Sequence, residues 1–406
     1  MSVETSIVAA RVRSPRVTAS NQIPESILND PALAESMSAL PSNYNFEVAK
    51  CIWKIRQAGA KRVGLQMPEG LLLFACPLAD ILGQFTGAEM VVLGDVTYGA
   101  CCVDDLGALS LGCDFLIHYG HSCLVPVDTM SVGIKVLYVF VSIAFDVKHL
   151  CDTVVANFPP GDDLVLAGTI QFSSALAEAR EILSGSFPSL TIPQAKPLSP
   201  GEVLGCTAPS LAAQNVSAII FVADGRFHLE AIMMRNPGIP TFRYDPYGKR
   251  MTEEGYNHGT MNDMRRKAIT SASQSLAGVR GAGQALPWGC VLGTLGRQGN
   301  PALLDRLTQA LTASGVEHFT VLMAELSPSK LKDFGPVGAW VQVACPRLSI
   351  DWGAAVEEEV GAPLLTPFEA FVALGLTSWD PGSPYPMDYY ERGRGPWTNY
   401  HKPPAK

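Results

Sequence analysis

Apolar residues in this chain fall in short continuous runs, and longer polar-apolar stretches of helical character separate them. Continuous runs of Val, Ile, Leu and Phe, buried on both faces with helices between, are the pattern of a parallel sheet. The pattern predicts strands at Arg62–Gln66, Met90–Gly94, Phe115–Tyr119 and Val136–Val141, then at Leu164–Thr169, Leu190–Pro193, Ala218–Ala223 and Thr241–Tyr244. A third group follows at Val291–Leu295, Phe319–Leu322, Trp340–Ala344 and Leu364–Leu365. The expected fold class is α/β, with three similar domains, each a small, mostly parallel four-stranded sheet flanked by helices.

The first two groups repeat. Gln66 lies 35 residues before Cys101, and Gln171 lies 35 residues before Cys206. The offset of 105 also carries Leu116–Gly120 onto Phe221–Gly225 and Val136–Val141 onto Thr241–Pro246. A fixed offset held by several segments indicates a duplicated unit. The third group keeps no such offset, and its cysteine, Cys345, ends its third strand. Linkers rich in Gly, Pro or Ala fall near 157–161 and over 277–287. They divide the chain into a flexible tail over 1–45, domains over 46–157, 158–280 and 281–380, and a tail over 381–406. That last tail is aromatic and basic, and is expected to wrap over a domain or a partner.

Composition narrows the class. A chain of 406 residues with 47% apolar and 17% charged residues is a folded protein of two or three domains. A net charge of −8 argues against direct nucleic-acid binding, which wants a basic surface. The longest apolar run, Val136–Phe145, is half of the ~20 residues that a membrane helix needs, so no membrane role is expected. Arg11, Arg13 and Arg16 give the N-terminus a faint presequence character, countered by Glu4 and the lack of an amphipathic face. Ten cysteines without a secretory signal imply reduced thiols and a cytoplasmic location.

Ligand groups in open parallel sheets collect beyond the C-terminal ends of the strands. Three cysteine segments sit there: Gly94–Cys102, Leu204–Thr207 and Val343–Arg347. Three thiolates, Cys101, Cys206 and Cys345, converging from three domains would ligate a soft metal or an iron–sulfur cluster. Spacing alone also allows ordinary buried thiols, since free Cys is among the most buried residue types. A rival zinc set lies in the first domain: Cys101, Cys102, Cys113, His118, His121 and Cys123. The glycine-rich loop Gly293–Gly299 precedes a helix beginning near Pro301, so its N–H groups and Arg297 suit an anion, a carboxylate or simply a tight turn. His121-Ser122-Cys123 and Arg226-Phe227-His228 occupy matching places, facing a shared cleft or capping strand ends.

Long motifs now carry a resemblance: QMPEGL from Gln66, GDVTYGACCVDD from Gly94, HYGHSCLVP from His118, PGEVLGCT from Pro200, DGRFHLE from Asp224, VQVACPRLSID from Val341 and YPMDYY from Tyr385. Over roughly residues 40–400 the chain resembles the catalytic subunit (subunit 1) family of eukaryotic diphthamide synthase. The three central cysteines match the family pattern. Cys113 is a local variation, and the tail after Trp397 is short for the family. The resemblance implies three α/β domains in a pseudo-threefold triangle, with Cys101, Cys206 and Cys345 each holding one iron of a [4Fe-4S] cluster. It implies a radical transferase that uses S-adenosylmethionine without the usual CX3CX2C signature. The acceptor is C2 of a histidine on translation elongation factor 2, modified by a 3-amino-3-carboxypropyl group. The implied partners are a related subunit 2, as a heterodimer, and a small metal-binding electron donor protein. Loop chemistry and position make Gly293, Thr294, Arg297 and Gln298 the expected holders of the methionyl end of S-adenosylmethionine. The alternatives are a noncatalytic scaffold subunit, against which the three retained cysteines speak, and a zinc-stabilised binding protein.

Overall fold

The computed structural model describes residues 22–95, 97–276 and 286–401. A short antiparallel ribbon joins β1 (Tyr44–Asn45) to β6 (Ser142–Ile143). The first large sheet holds β2 (Arg62–Gln66), β3 (Glu89–Val92), β4 (Phe115–Tyr119) and β5 (Lys135–Val139), all parallel, in the order β3-β2-β4-β5. The second holds β7 (Leu164–Gly168), β8 (Ala218–Val222), β9 (Thr241–Asp245) and β10 (Arg250–Glu254), in the order β10-β9-β8-β7. The third holds β11 (Trp288–Gly293), β12 (His318–Met323), β13 (Ala339–Val343) and β14 (Leu364–Leu365), parallel, in the order β12-β11-β13-β14. β4, β7, β8 and β13 are buried along their whole length, as the continuous apolar runs require.

The second sheet departs from the predicted one. Leu190–Pro193 makes only a single parallel bridge, Thr191 to Val165. Pro188 and Pro193 bracket it, and neither has an N–H to extend a ladder. The fourth strand comes instead from β10, antiparallel to β9 at the other edge. Its sequence, Arg-Met-Thr-Glu-Glu, is too polar and exposed to read as an apolar run.

The repeat is real in topology but its offset is not constant. Matching strands of the first two sheets begin 102, 103 and 106 residues apart. Gln66 ends β2, whereas Gln171 lies past the end of β7, in the turn Ile170–Phe172. Loops of unequal length absorb the difference, and the two glutamines are therefore not equivalent.

Residues 22–45, expected to be part of a flexible tail, are folded. Helices cover Glu25–Leu28 and Pro31–Met37, and the Asp30 carboxylate caps the second by accepting from Ala32 N at 2.9 Å. Their Ile27 and Leu33, with Leu40 beyond, enter the core beside Ile52, Ile55 and Leu78. The stretch Glu69–Thr86 is long and apolar enough to cross a membrane by composition. Its Leu71, Leu78, Ile81 and Leu82 pack into this same core, which accounts for the apolarity.

The inner faces of the second and third sheets share one continuous core. Val165, Ala167, Ile219 and Phe221 join Cys290, Val341, Val343 and Leu365 in it, together with Tyr385, Met387, Tyr389 and Tyr390 of the C-terminal tail. The helix His258–Ser275, inside the expected second domain, docks on the third. Its buried Arg265 makes paired hydrogen bonds to Glu369 at 2.7 and 2.6 Å, and donates to the carbonyls of Ser349 and Leu364. This helix therefore packs with the elements of the third sheet.

Because Leu33 is buried against the first sheet's helices, Leu33→Ala should destabilise the chain by about 2–5 kcal/mol. A melting temperature indistinguishable from the parent's would show that this N-terminal segment does not belong to the core.

Candidate metal centre

The three cysteine segments emerge from the C-terminal ends of their sheets and meet. Cys101 sits in the tight turn Ala100–Cys102 that follows β3. Gln66, at the end of neighbouring β2, holds that turn with its side chain. Its amide donates to Cys102 O at 2.8 Å, and its carbonyl accepts from Asp104 N at 3.0 Å. The same carbonyl lies 2.9 Å from His118 Nδ1, so Nδ1 carries the proton. Gln342 on β13 does the equivalent job in the third domain, donating to Cys345 O at 2.5 Å. Cys345 itself is the N-cap residue of the helix Pro346–Val360. Cys206 lies within the Leu204–Thr207 bridge, and its carbonyl accepts from Tyr389 N at 3.3 Å.

Two arginines tie the domains together at this point. Arg347, two residues past Cys345, donates to Phe227 O at 2.8 Å and Glu230 at 2.6 Å in the second domain, and to Asp351 on its own helix. Arg297, from the glycine-rich loop, makes paired bonds to Asp105 at 2.7 and 2.6 Å and reaches Ser131 at 3.2 Å in the first domain. Its backbone N–H donates to Cys101 O at 2.9 Å, and Gln298 Nε2 approaches Cys102 Sγ at 3.4 Å. Gly296 has φ +54°, and a side chain there would strike the Cys102 carbonyl. The loop therefore grips the Cys101 turn. Arg297, expected to meet a ligand, is already occupied by Asp105, and Thr294 is exposed.

Cys101, Cys206 and Cys345 feel one another's charge. Burial, then Cys345, pushes the Cys206 thiol up to about 12, and burial pushes Cys345 up to about 11. Cys101 rises through its hydrogen bond with Cys102 and through burial, while the same bond lowers Cys102 to about 7. Without a metal, the three thiols stay neutral, and ligation would release their protons. Among the described residues no three His, Cys, Asp or Glu side chains close round a single point as ligands of one ion do. The zinc set is dispersed for this reason. Cys113 packs with Leu93, Ala108 and Leu116 in an apolar cluster, and His118 is held by Gln66. Three neighbouring thiols brought from three sheets fit a multi-iron cluster, in which each sulfur takes a separate iron.

A cleft of 310 Å³ opens beside the cysteine turns, between the first and second domains. Tyr98, His121, Thr169, Glu202, Leu204 and His228 are among its lining residues. His121 and His228, which occupy matching places in the first two units, thus both face it. Five buried atoms there have no partner among the described residues: His121 Nδ1, Ser122 Oγ, Thr169 Oγ1, Glu202 Oε1 and His228 Nδ1. Sequence reasoning missed Thr169 and Glu202, and also Gln342, Arg347 and Asp105; Gln342, a polar residue inside the apolar run just before Cys345, was the one available signal.

Burial first and His228 second lower His121 to about 3; burial first and Arg347 second lower His228 to about 4. Unfolded, both titrate near 6.5, so between about 6.5 and 4 the unfolded chain binds protons that the folded chain refuses. Stability should therefore be retained above about pH 6.5 and fall as the pH drops below it. Thermal melts at about pH 7.5 and about pH 5 check this, and His121→Asn with His228→Asn should flatten the difference. An equal difference in the double variant would assign the acid sensitivity to other groups.

Comparisons with known proteins agree with this architecture. The profile of the diphthamide synthesis protein family matches residues 67–386. The chain is 54% identical over 401 residues to 2-(3-amino-3-carboxypropyl)histidine synthase subunit 1 of Gallus gallus, covering 97% of this chain and 93% of that one. It is 52% identical to the Homo sapiens protein of the same name, covering 96% and 85%. The name implies further subunits for those enzymes. Among solved structures, Dph2 from Pyrococcus horikoshii with a 4Fe-4S cluster matches with TM-score 0.64 and 27% identity, covering 86% of this chain and 94% of that one. Sequence, sheet order and the meeting of the cysteine turns lead to one conclusion: this chain belongs to the diphthamide synthesis protein family.

Proposed function

We propose that this chain is the cluster-bearing subunit of a transferase that moves a 3-amino-3-carboxypropyl group from S-adenosylmethionine to C2 of a histidine on translation elongation factor 2. The observation that carries the reading is the convergence of Cys101, Cys206 and Cys345 from three sheets. Cys101, Cys206 and Cys345 would each hold one iron of a [4Fe-4S] cluster, leaving one iron open to a small molecule. When bound, the cluster supplies a single electron to the sulfonium of S-adenosylmethionine.

The protein's part is position and exclusion of water. Gln66 and Gln342 hold the cysteine turns by their carbonyls, and Arg297 and Arg347 lock the turns to their neighbours. The loop Gly293–Gly299 takes a supporting role here, with Arg297 and Gln298 on the Cys101 turn. The cleft between the first two domains is the better place for the rest of S-adenosylmethionine. No Lys or Arg lines it, and Glu202 and Asp224 do, which suits a sulfonium, an ammonium and ribose hydroxyls. Burial raises the Glu202 carboxyl, and only its Oε2 has a partner, Ser199 N at 2.9 Å. The chain would work in the cytoplasm as a heterodimer with a related subunit 2, reduced by a small metal-binding electron donor protein, with no direct role for nucleic acid or membrane.

Anaerobic reconstitution with iron and sulfide, followed by electron paramagnetic resonance after dithionite reduction, tests the reading. The parent chain should give a four-iron signal that Cys101→Ala, Cys206→Ala and Cys345→Ala each abolish or severely weaken. Iron uptake indifferent to all three changes would leave only a scaffold. In the loaded protein, Glu202→Gln should weaken S-adenosylmethionine binding by about tenfold, one lost charged hydrogen bond, with iron content unchanged. Unaltered affinity would move the ligand out of this cleft.

A further inference from the structure

The C-terminal segment is a strap pinned to all three domains. In the second, Ala208 N donates to Met387 O at 2.8 Å, Thr207 bridges to Asp388, and Arg392 N donates to Lys196 O at 3.0 Å. In the third, Arg306 donates to the carbonyls of Pro396 and Thr398, and Asn300 to that of Asn399. In the first, the Tyr400 hydroxyl donates to the Leu124 carbonyl.

This strap delivers Tyr390 to the cysteine site. Tyr389 N binds Cys206 O, and Tyr390 N donates to Thr207 Oγ1 at 3.0 Å, so the backbone lies directly against the Cys206 turn. The Tyr390 side chain is 7% exposed and packs in the core that contains Ala100, Leu124, Leu204 and Cys206, with Cys101 against it. The Tyr400 ring stands edge-on to it at 6.2 Å. The three other tyrosines of the strap have hydroxyl partners: Tyr385 on Glu369 at 2.9 Å, Tyr389 on Tyr385 at 3.1 Å, and Tyr400 on the Leu124 carbonyl. The Tyr390 hydroxyl makes no hydrogen bond to any described residue; only the backbone N–H of Tyr390 meets a side chain, Thr207 Oγ1. A phenol carries its proton at neutral pH and can donate it to an acceptor.

We propose that Tyr390 is a positioning residue of the cluster site, pressed over it by the strap, with its phenol donating a hydrogen bond to a sulfur of the iron–sulfur cluster. The inference rests on the cluster reading given above. A phenol hydroxyl that a bound group would cover from water needs a hydrogen-bond partner there. Cluster sulfurs are acceptors, and hydrogen bonds to them raise the reduction potential by favouring the more negative, reduced state.

The test uses the full chain, reconstituted anaerobically, as parent and as Tyr390→Phe, which keeps the ring and removes only the hydroxyl. Both should load iron equally. The reduction equilibrium of Tyr390→Phe should move about tenfold toward the oxidised state, which is about 59 mV more negative for one electron. Its paramagnetic signal should change shape as well. An unchanged potential and signal in a fully loaded variant overturns this proposal and leaves the cluster reading standing. A parent chain that takes up no iron overturns both. A second measurement needs no variant: pulsed hyperfine spectra of the parent in H2O and D2O should show an exchangeable proton coupled to the cluster. A parent cluster without one overturns the proposal even where Tyr390→Phe fails to load.

Discussion

Three thiols on three sheets can act together only if sheets that share no strand are held in one fixed arrangement. Two arginine clamps meet this constraint. Arg297 reaches from the third domain to Asp105 in the first, and Arg347 from the third to Glu230 in the second. Burial pushes the Asp105 carboxyl up, but the hydrogen bonds from Arg297 and Ser131 outweigh it and hold it low. Ion pairs this enclosed add little net stability, since desolvation offsets their attraction, yet a broken pair strands a buried charge. They therefore penalise any other arrangement of the domains. The paired geometry of guanidinium on carboxylate also restricts rotation at the joint.

The clamps work on turns that are already stiff. Gln66 and Gln342 spend their side-chain amides on the carbonyls of cysteine turns, and Gly296 allows the third domain's loop to approach the Cys102 carbonyl. The second domain lacks such a glutamine, because Gln171 lies beyond its strand and lines the cleft. The strap replaces it there: Tyr389 and Tyr390 hold the Cys206 turn from outside the sheet. The duplicated units have thus diverged in the device that holds each cysteine while keeping the cysteine in place.

Much of this was legible in the chain itself. Continuous apolar runs located nearly every parallel strand, because a strand buried on both faces admits few polar residues. Strand ends then marked the three cysteine turns. The failures have a common cause. β10 is an exposed edge strand whose polar side chains carry no period, and it exists because β9 offers it a free edge. The N-terminal helices of Glu25–Leu28 and Pro31–Met37 are too short to stand alone, and gain their order from the first domain's core. The loop Gly293–Gly299 looked like a ligand cradle because glycines and an arginine at a helix start suit an anion. Its anion is Asp105, 192 residues away.

By itself, then, the sequence determined the local order: which segments are strands, where the chain turns, and that a cysteine follows a strand end in each of three units. Those are short-range properties of side-chain volume, polarity and backbone freedom. The tertiary structure alone decided which distant groups meet. It paired Arg297 with Asp105 and Arg347 with Glu230, opened a cleft between His121 and His228, and laid Tyr390 against Cys206. Contacts of that kind depend on how sheets dock, and docking is set by the summed burial of whole faces, which no local pattern encodes.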